Sequence, residues 1–116
     1  MTSDELLGAY RAAAIEYGTE IDAKRCNVAL ARLPGIIGAL RAVGAERRIL
    51  ELLDDESEHV RAWAGFDALV LSPDDGVRVL RELAEGPYEG VGAAAEMTLQ
   101  LWEKGELELH AWQDAP

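Results

Sequence analysis

The stretch Leu52–Leu71, LLDDESEHVRAWAGFDALVL, decides the fold. Two leucines close one apolar stripe, five of the next six residues are acidic or hydroxylic, and Val60-Arg61 opens a second apolar run. Ser57 is placed to cap the second helix, and Asp54, Asp55, Glu56 and Glu58 lie where a helix N-terminus attracts negative charge. The acidic corner therefore reads as a tight turn between stacked helices.

On both sides of this corner the chain reads as helix. Thr2 and Glu5 form a capping box, and Leu6, Leu7, Tyr10, Ala13, Ala14 and Tyr17 recur at helical spacing until Gly18, the expected stop. A second stripe runs through Ile21, Cys26, Leu30, Leu33, Ile37, Leu40 and Val43 to Gly44. Pro34 interrupts it by removing a hydrogen bond to the Leu30 carbonyl. The apolar phase survives, which predicts a kinked pair of helices pointing the same way, with two antiparallel helices as the alternative. A short helix, Glu46–Leu53, leads to the corner. Ser72-Pro73 repeats the cap signal, with Asp74 and Asp75 in the first turn and Val77, Leu80 and Ala84 as the stripe. After the loop EGPYEG the last helix spans about Glu89 to Lys104. The tail GELELHAWQDAP alternates apolar and polar residues, which predicts an extended segment laid over the last helices and anchored by Trp112.

With 116 residues and 49% hydrophobic content the chain can bury one core. We expect a single helical domain over residues 1–104 and a C-terminal tail over 105–116. No apolar run is long enough to span a membrane, no signal peptide is legible, and the single cysteine, Cys26, cannot form an internal disulfide. A cytoplasmic location is the expectation. Net charge is −11, from 22 acids and 11 bases, which opposes binding to phosphate backbones and favours a basic partner if there is one.

The run from Leu52 through SPDDGVRVLRELAEG resembles a HEAT-type repeat of the short bacterial form. Val60, Arg61 and Ala64 match its motif, and Asp55 and Ser57 stand where that motif usually has aspartates. The resemblance covers about Ala45 to Gly86 as one unit, with the flanking helices as degenerate half-repeats. The whole chain also resembles a small bacterial family of HEAT-like helical-repeat proteins, a domain of unknown function, through AYRAAAIEYG, VRAWAGFDAL and AAAEMTLQLWEKG. Pro34 departs from the unbroken helix that this resemblance implies. The implied architecture is all-α, a short right-handed α-α superhelix of five to six helices; no activity is carried over.

No catalytic or metal signature stands out, and no cofactor is expected. His59 and His110 are about fifty residues apart, and with Cys26 they make no ligand spacing; Cys26, on an apolar stripe, reads as a core thiol. The sequence GVGAAAE lacks the lysine and the preceding strand of a phosphate loop. Glu16 and Glu20 read as a solvated pair across a helix end. Asp67 and Glu96 are more distinctive, because each sits among apolar residues and a buried acid needs a partner or a raised pKa. Arg61 or Arg81 is the expected partner. Trp63 and Trp102 fall at core spacing, which leaves Trp112 as the tryptophan most suited to an interface.

The favoured function is a non-enzymatic protein-interaction module. Stacked repeats line a concave surface with the second helix of each pair. Here that places Arg47, Arg48, Glu51, Arg78, Arg81, Glu82 and Glu85 on the partner-binding face. One concrete version is an immunity or antitoxin-like protein that blocks a basic toxin. The alternatives are a nucleic-acid-binding or repair-related HEAT-like protein, which needs a basic groove, and an enzyme with an unrecognised carboxylate site, which needs a pocket holding Asp67 or Glu96. Arg61 is expected to brace the acidic corner. Arg61→Ala should therefore lower the melting temperature; an unchanged melt with lost partner binding would reverse the assignment.

Overall fold

A computed structural model describes residues 1–113. Among them the chain forms α1 (Ser3–Thr19), α2 (Ala23–Ala42), a 3-10 helix η1 (Glu46–Asp54), α3 (Glu58–Leu71), α4 (Pro73–Glu85), α5 (Val91–Lys104) and a short α6 (His110–Gln113), with no strand. The fold is all-α, and no described helix is long and apolar enough to cross a membrane.

Two of the caps that open these helices, Thr2 and Ser57, are those read from the sequence. The Glu5 amide donates to Thr2 Oγ1 (3.1 Å), and the Thr2 amide donates to Glu5 Oε1 (3.0 Å). Asp22 caps α2 through the amides of Lys24 and Arg25, and Ser57 caps α3 through the amide of Val60. Ser72 differs. It holds the N-cap position of α4, yet its hydroxyl donates to Asp75 Oδ2 (2.7 Å) and accepts no cap bond.

The acidic corner is clamped from two sides. Arg11 of α1 donates from Nε and Nη2 to the Asp55 carboxylate (2.8 and 3.3 Å). Arg61 donates from Nη1 to the Asp55 carbonyl (2.9 Å), in keeping with the bracing role expected of it. The hydrogen bonds from Arg11 hold the Asp55 carboxyl below its usual range, aided by the Ser57 amide, while partial burial works the other way. The corner thus ties α1, η1 and α3 together, beyond what the helix dipole alone would do.

α3 lies at the centre and packs on α1, η1, α4 and α5. The reason is compositional. In EHVRAWAGFDALVL the charged residues are too few and too scattered to make a polar face, so every side of the helix has to be covered. Its closest neighbour is α4. A Cβ on Gly76 would stand 2.8 Å from both the Gly65 carbonyl oxygen and the Leu69 amide nitrogen, so glycine is what lets the two backbones meet. The core is filled by Leu6, Tyr10, Leu33, Leu40, Ile49, Leu69, Leu80 and Leu83 with their neighbours.

Several expectations need correction. α1 does not stop at Gly18, which has ordinary helical geometry; the helix runs to Thr19. Glycine is required there for space, because a Cβ would overlap the His59 ring. α2 is continuous through Pro34, so the antiparallel alternative is excluded. Pro34 lies on the exposed face, where its missing hydrogen bond is not a loss to the core. The α2 stripe is Ala29, Leu33, Ile37 and Leu40, whereas Ile21 and Val43 fall outside the helix and are exposed. The buried residues of α4 are Gly76, Val79, Leu80 and Leu83. The short helix before the corner is a 3-10 helix reaching Asp54.

The tail is not extended throughout. After Gly105, left-handed at φ +71°, it leaves α5, and at residue 110 it turns into α6, which packs on α2 and not on the last helices. Leu107, Ala111 and Trp112 pack on the core while Glu106 and Glu108 stay exposed, so the alternation is real although no strand forms. Residues 114–116 of the expected tail lie outside the described residues.

The α3–α4 contact can be tested with a pair of substitutions. Gly76→Ala should destabilise the fold by about 1–3 kcal/mol through overpacking against backbone. Gly8→Ala, in mid-α1 with nothing within 4 Å, should stabilise it by about 0.5–1 kcal/mol. Urea denaturation of the two variants measures both.

Candidate functional site

The sequence singled out a charged face on η1 and α4, and much of that face is bound up internally. Arg48 donates to Ser3 Oγ (2.7 Å), Asp4 (2.6 Å) and Glu51 (2.9 Å), tying η1 to the start of α1. Arg47 donates to the Leu71 carbonyl (3.0 Å) at the end of α3. Arg78 pairs along its own helix with Asp75 (3.6 Å) and Glu82 (3.4 Å). Arg81, Glu82 and Glu85 are exposed on α4. η1 and α4 both pack on α3 and flank a shallow hollow of about 350 Å³ lined by Leu53, Asp54, Arg61, Val79, Glu82, Leu83 and Tyr88. Of the seven residues expected on the partner face, only Glu82 reaches this hollow. The Arg61 guanidinium lies 5.4 Å from the Tyr88 ring centroid, so it is held by the ring as well as by the Asp55 carbonyl. Glu46, at the start of η1, is half-buried, and among the described residues its enclosed Oε2 has no hydrogen-bond donor.

A larger site lies on the other side of α3. Between α1 and α5 the outer face of α3 floors a groove of about 500 Å³. His59, Trp63 and Phe66 fall on that face at spacings of three and four, so helical geometry alone aligns them. α1 contributes Tyr17, α2 contributes Cys26, and Glu89 and Thr98 stand on the α5 side. Trp63 sits edge-to-face with Tyr17 (centroids 5.5 Å, planes at 75°) and with Phe66 (5.9 Å, 70°). No lysine or arginine lines the groove, and Glu89 is its acid. Tyr17 is 36% exposed, so an aromatic ring expected in the core is open to solvent.

Three residues that sequence reasoning placed in the interior, Tyr17, Cys26 and Trp63, line this groove. Trp63 is half-buried at the floor. Cys26 is half-buried beside it, and its thiol donates to the Tyr17 carbonyl (3.2 Å). The missed signal was the missing polar face of α3: four neighbours cannot cover a helix completely, and the uncovered part is apolar. Among the described residues no group of three His, Cys, Asp or Glu side chains is placed to hold a metal.

Asp67 and Glu96 part company. Glu96 is exposed on α5. Asp67 is 1% exposed, and neither Arg61 nor Arg81 reaches it. It accepts hydrogen bonds from the Tyr10 hydroxyl of α1 (2.5 Å) and from the Trp112 indole of α6 (3.0 Å). Trp112, expected at an interface, instead closes this buried network. Its ring lies 5.4 Å from the Arg41 guanidinium, which also donates to the Ala111 carbonyl (3.3 Å). Burial pushes the Asp67 carboxyl up to about 6 against the opposing pull of its two donors, and burial also raises the Tyr10 hydroxyl. Asp67 faces the core and is not among the residues lining either cavity, so its geometry is that of a structural tie.

No family model, curated protein or solved structure matches this chain.

The buried carboxyl sets a pH dependence with a defined sign. A carboxyl whose folded pKa is raised binds more protons folded than unfolded, so its contribution is complete below about pH 4 and is lost as pH rises through about 6. Asp67→Asn removes this dependence. The stability of wild type relative to Asp67→Asn should therefore fall by about 3 kcal/mol between pH 4 and 7. Urea denaturation of both proteins across that range measures it, and acids common to both cancel in the difference.

Proposed function

We propose that this chain is a non-enzymatic, HEAT-like helical-repeat module that binds a basic protein partner, with the aromatic groove over α3 as its docking site. The carrying observation is the groove itself: Tyr17, Trp63 and Phe66 line it on a chain of net charge −11, with no lysine or arginine among its lining. Large aromatic rings are the side chains that anchor protein interfaces, because they bury much surface for little lost freedom. An acidic surround speeds encounter with a basic partner and disfavours nucleic acid.

The HEAT-like reading rests on the motif at Val60, Arg61 and Ala64 and is supported by the order of packing. From α1 to α5 consecutive helices pair along the chain, and α3 also touches α1 and α5, as in a row of stacked repeats, while α6 returns to α2. The immunity or antitoxin-like version remains the concrete form of this proposal, since such a protein needs only a surface that blocks a basic partner. The charged face of Arg47, Arg48, Glu51, Arg78, Arg81, Glu82 and Glu85 is the second reading. The hollow beside Glu82 favours it, and the internal pairing of Arg48 and Arg78 weakens it.

A displayed random-peptide library, selected on the wild-type chain at low salt, tests the proposal. Enriched sequences should place lysine or arginine around apolar anchors. Their binding should weaken at least about tenfold in Trp63→Ala, a loss of about 1.4 kcal/mol. It should also weaken with added salt. Peptides that bind Trp63→Ala equally well but lose affinity to Glu82→Arg would move the site to the charged face. Enrichment of acidic peptides would overturn the basic partner.

A further inference from the structure

The three rings of the groove carry a more specific reading than an apolar surface, one that rests on the proposal that the groove is the docking site. An aromatic ring presents a negative face and a positive edge. Trp63 packs edge-to-face with Tyr17 (75°) and with Phe66 (70°), so the three rings are not stacked face on face, and all three line the groove. Aromatic lining of this kind is what attracts an organic cation. The lining holds no lysine or arginine; its titratable groups include the His59 imidazole and one acid, the exposed Glu89.

The same chemistry is already used twice on the inside of the molecule. The Arg61 guanidinium lies over the Tyr88 ring and the Arg41 guanidinium over the Trp112 ring, each 5.4 Å from the centroid. In the groove the rings and the acid are in place and the cation is missing from the lining. We infer that the partner supplies it: an arginine side chain of the docked segment lies against Trp63 and directs its guanidinium fork at Glu89. Arginine fits better than lysine because its planar, weakly hydrated guanidinium stacks on a ring and pairs with a carboxylate through two parallel hydrogen bonds. An ammonium is compact and strongly hydrated, and it would have to shed that water against an apolar wall.

The test uses three short peptides, acetyl-Gly-Leu-X-Leu-Gly-amide with X as arginine, lysine or citrulline, the last being the neutral isostere of arginine. Affinity is read by amide NMR titration of the full chain. A second readout is the alkylation rate of Cys26, the only thiol, which lines the groove and should be protected when it fills. The arginine peptide is expected to bind about five- to thirtyfold more tightly than the citrulline peptide. Glu89→Gln, an exposed loop change that leaves the core untouched, should remove most of the preference over lysine. Trp63→Leu, which keeps an apolar floor without the ring, should remove most of the preference over citrulline. Equal affinity for arginine and citrulline, with groove shifts and Cys26 protection intact, overturns the cation inference and leaves the docking site standing. Shifts confined to η1 and α4, or no binding by any of the three, overturns both.

Discussion

A helix without a polar face has to be covered, and α3 is such a helix. That constraint organises the molecule. Its sides are covered by α1, η1, α4 and α5, and the glycine at position 76 sets how closely α4 can approach. The two ionic groups on α3 that cannot be left in an apolar setting are each provided for: Arg61 by the Asp55 carbonyl and the Tyr88 ring, Asp67 by Tyr10 and Trp112. What four neighbours fail to cover is the strip of His59, Trp63 and Phe66, and that remainder is the groove. Site and core are two sides of one helix.

Much of this was legible in the chain, and the reasons for the rest are physical. Caps are local, so Thr2 and Ser57 announce their helices within three residues. The acidic corner is local too. The second stripe misled because alanine carries the buried face of α2 at Ala29, while the conspicuous Ile21 and Val43 lie just beyond the two ends of the helix. A small side chain gives a weak signal even where it packs fully. The partners of Asp67 lie 57 and 45 residues away in sequence and on different elements, so no local pattern could point to them. Arginine was the natural expectation for a buried acid, and two neutral donors meet the need instead. The groove gathers residues from five helices, and the one part that was readable in advance was the apolar excess of α3.

The charges divide into those that stitch helices and those left over. Arg11 to Asp55, Arg32 to Glu16 and Arg48 to Asp4 each join residues at least sixteen apart, fastening α1 to the corner, to α2 and to η1. With 22 acids against 11 bases, pairing can satisfy the basic residues and still leave a surplus of carboxylates facing outward. This separates the two uses of charge: arginine serves internal cohesion, and the acid excess sets the field that an approaching molecule meets.

The network at Asp67 also bears on how the chain acquires its fold during synthesis. Tyr10 is made long before Asp67, so the first hydrogen bond is available as soon as α3 emerges. Trp112 follows 45 residues later, and until it arrives the second oxygen of that carboxylate lacks its donor. A nascent chain ending anywhere between these points carries a half-satisfied acid at its centre, which favours a protonated or loosened core over a finished one. Both oxygens of Asp67 have their donors only once the residues of α6 have left the ribosome.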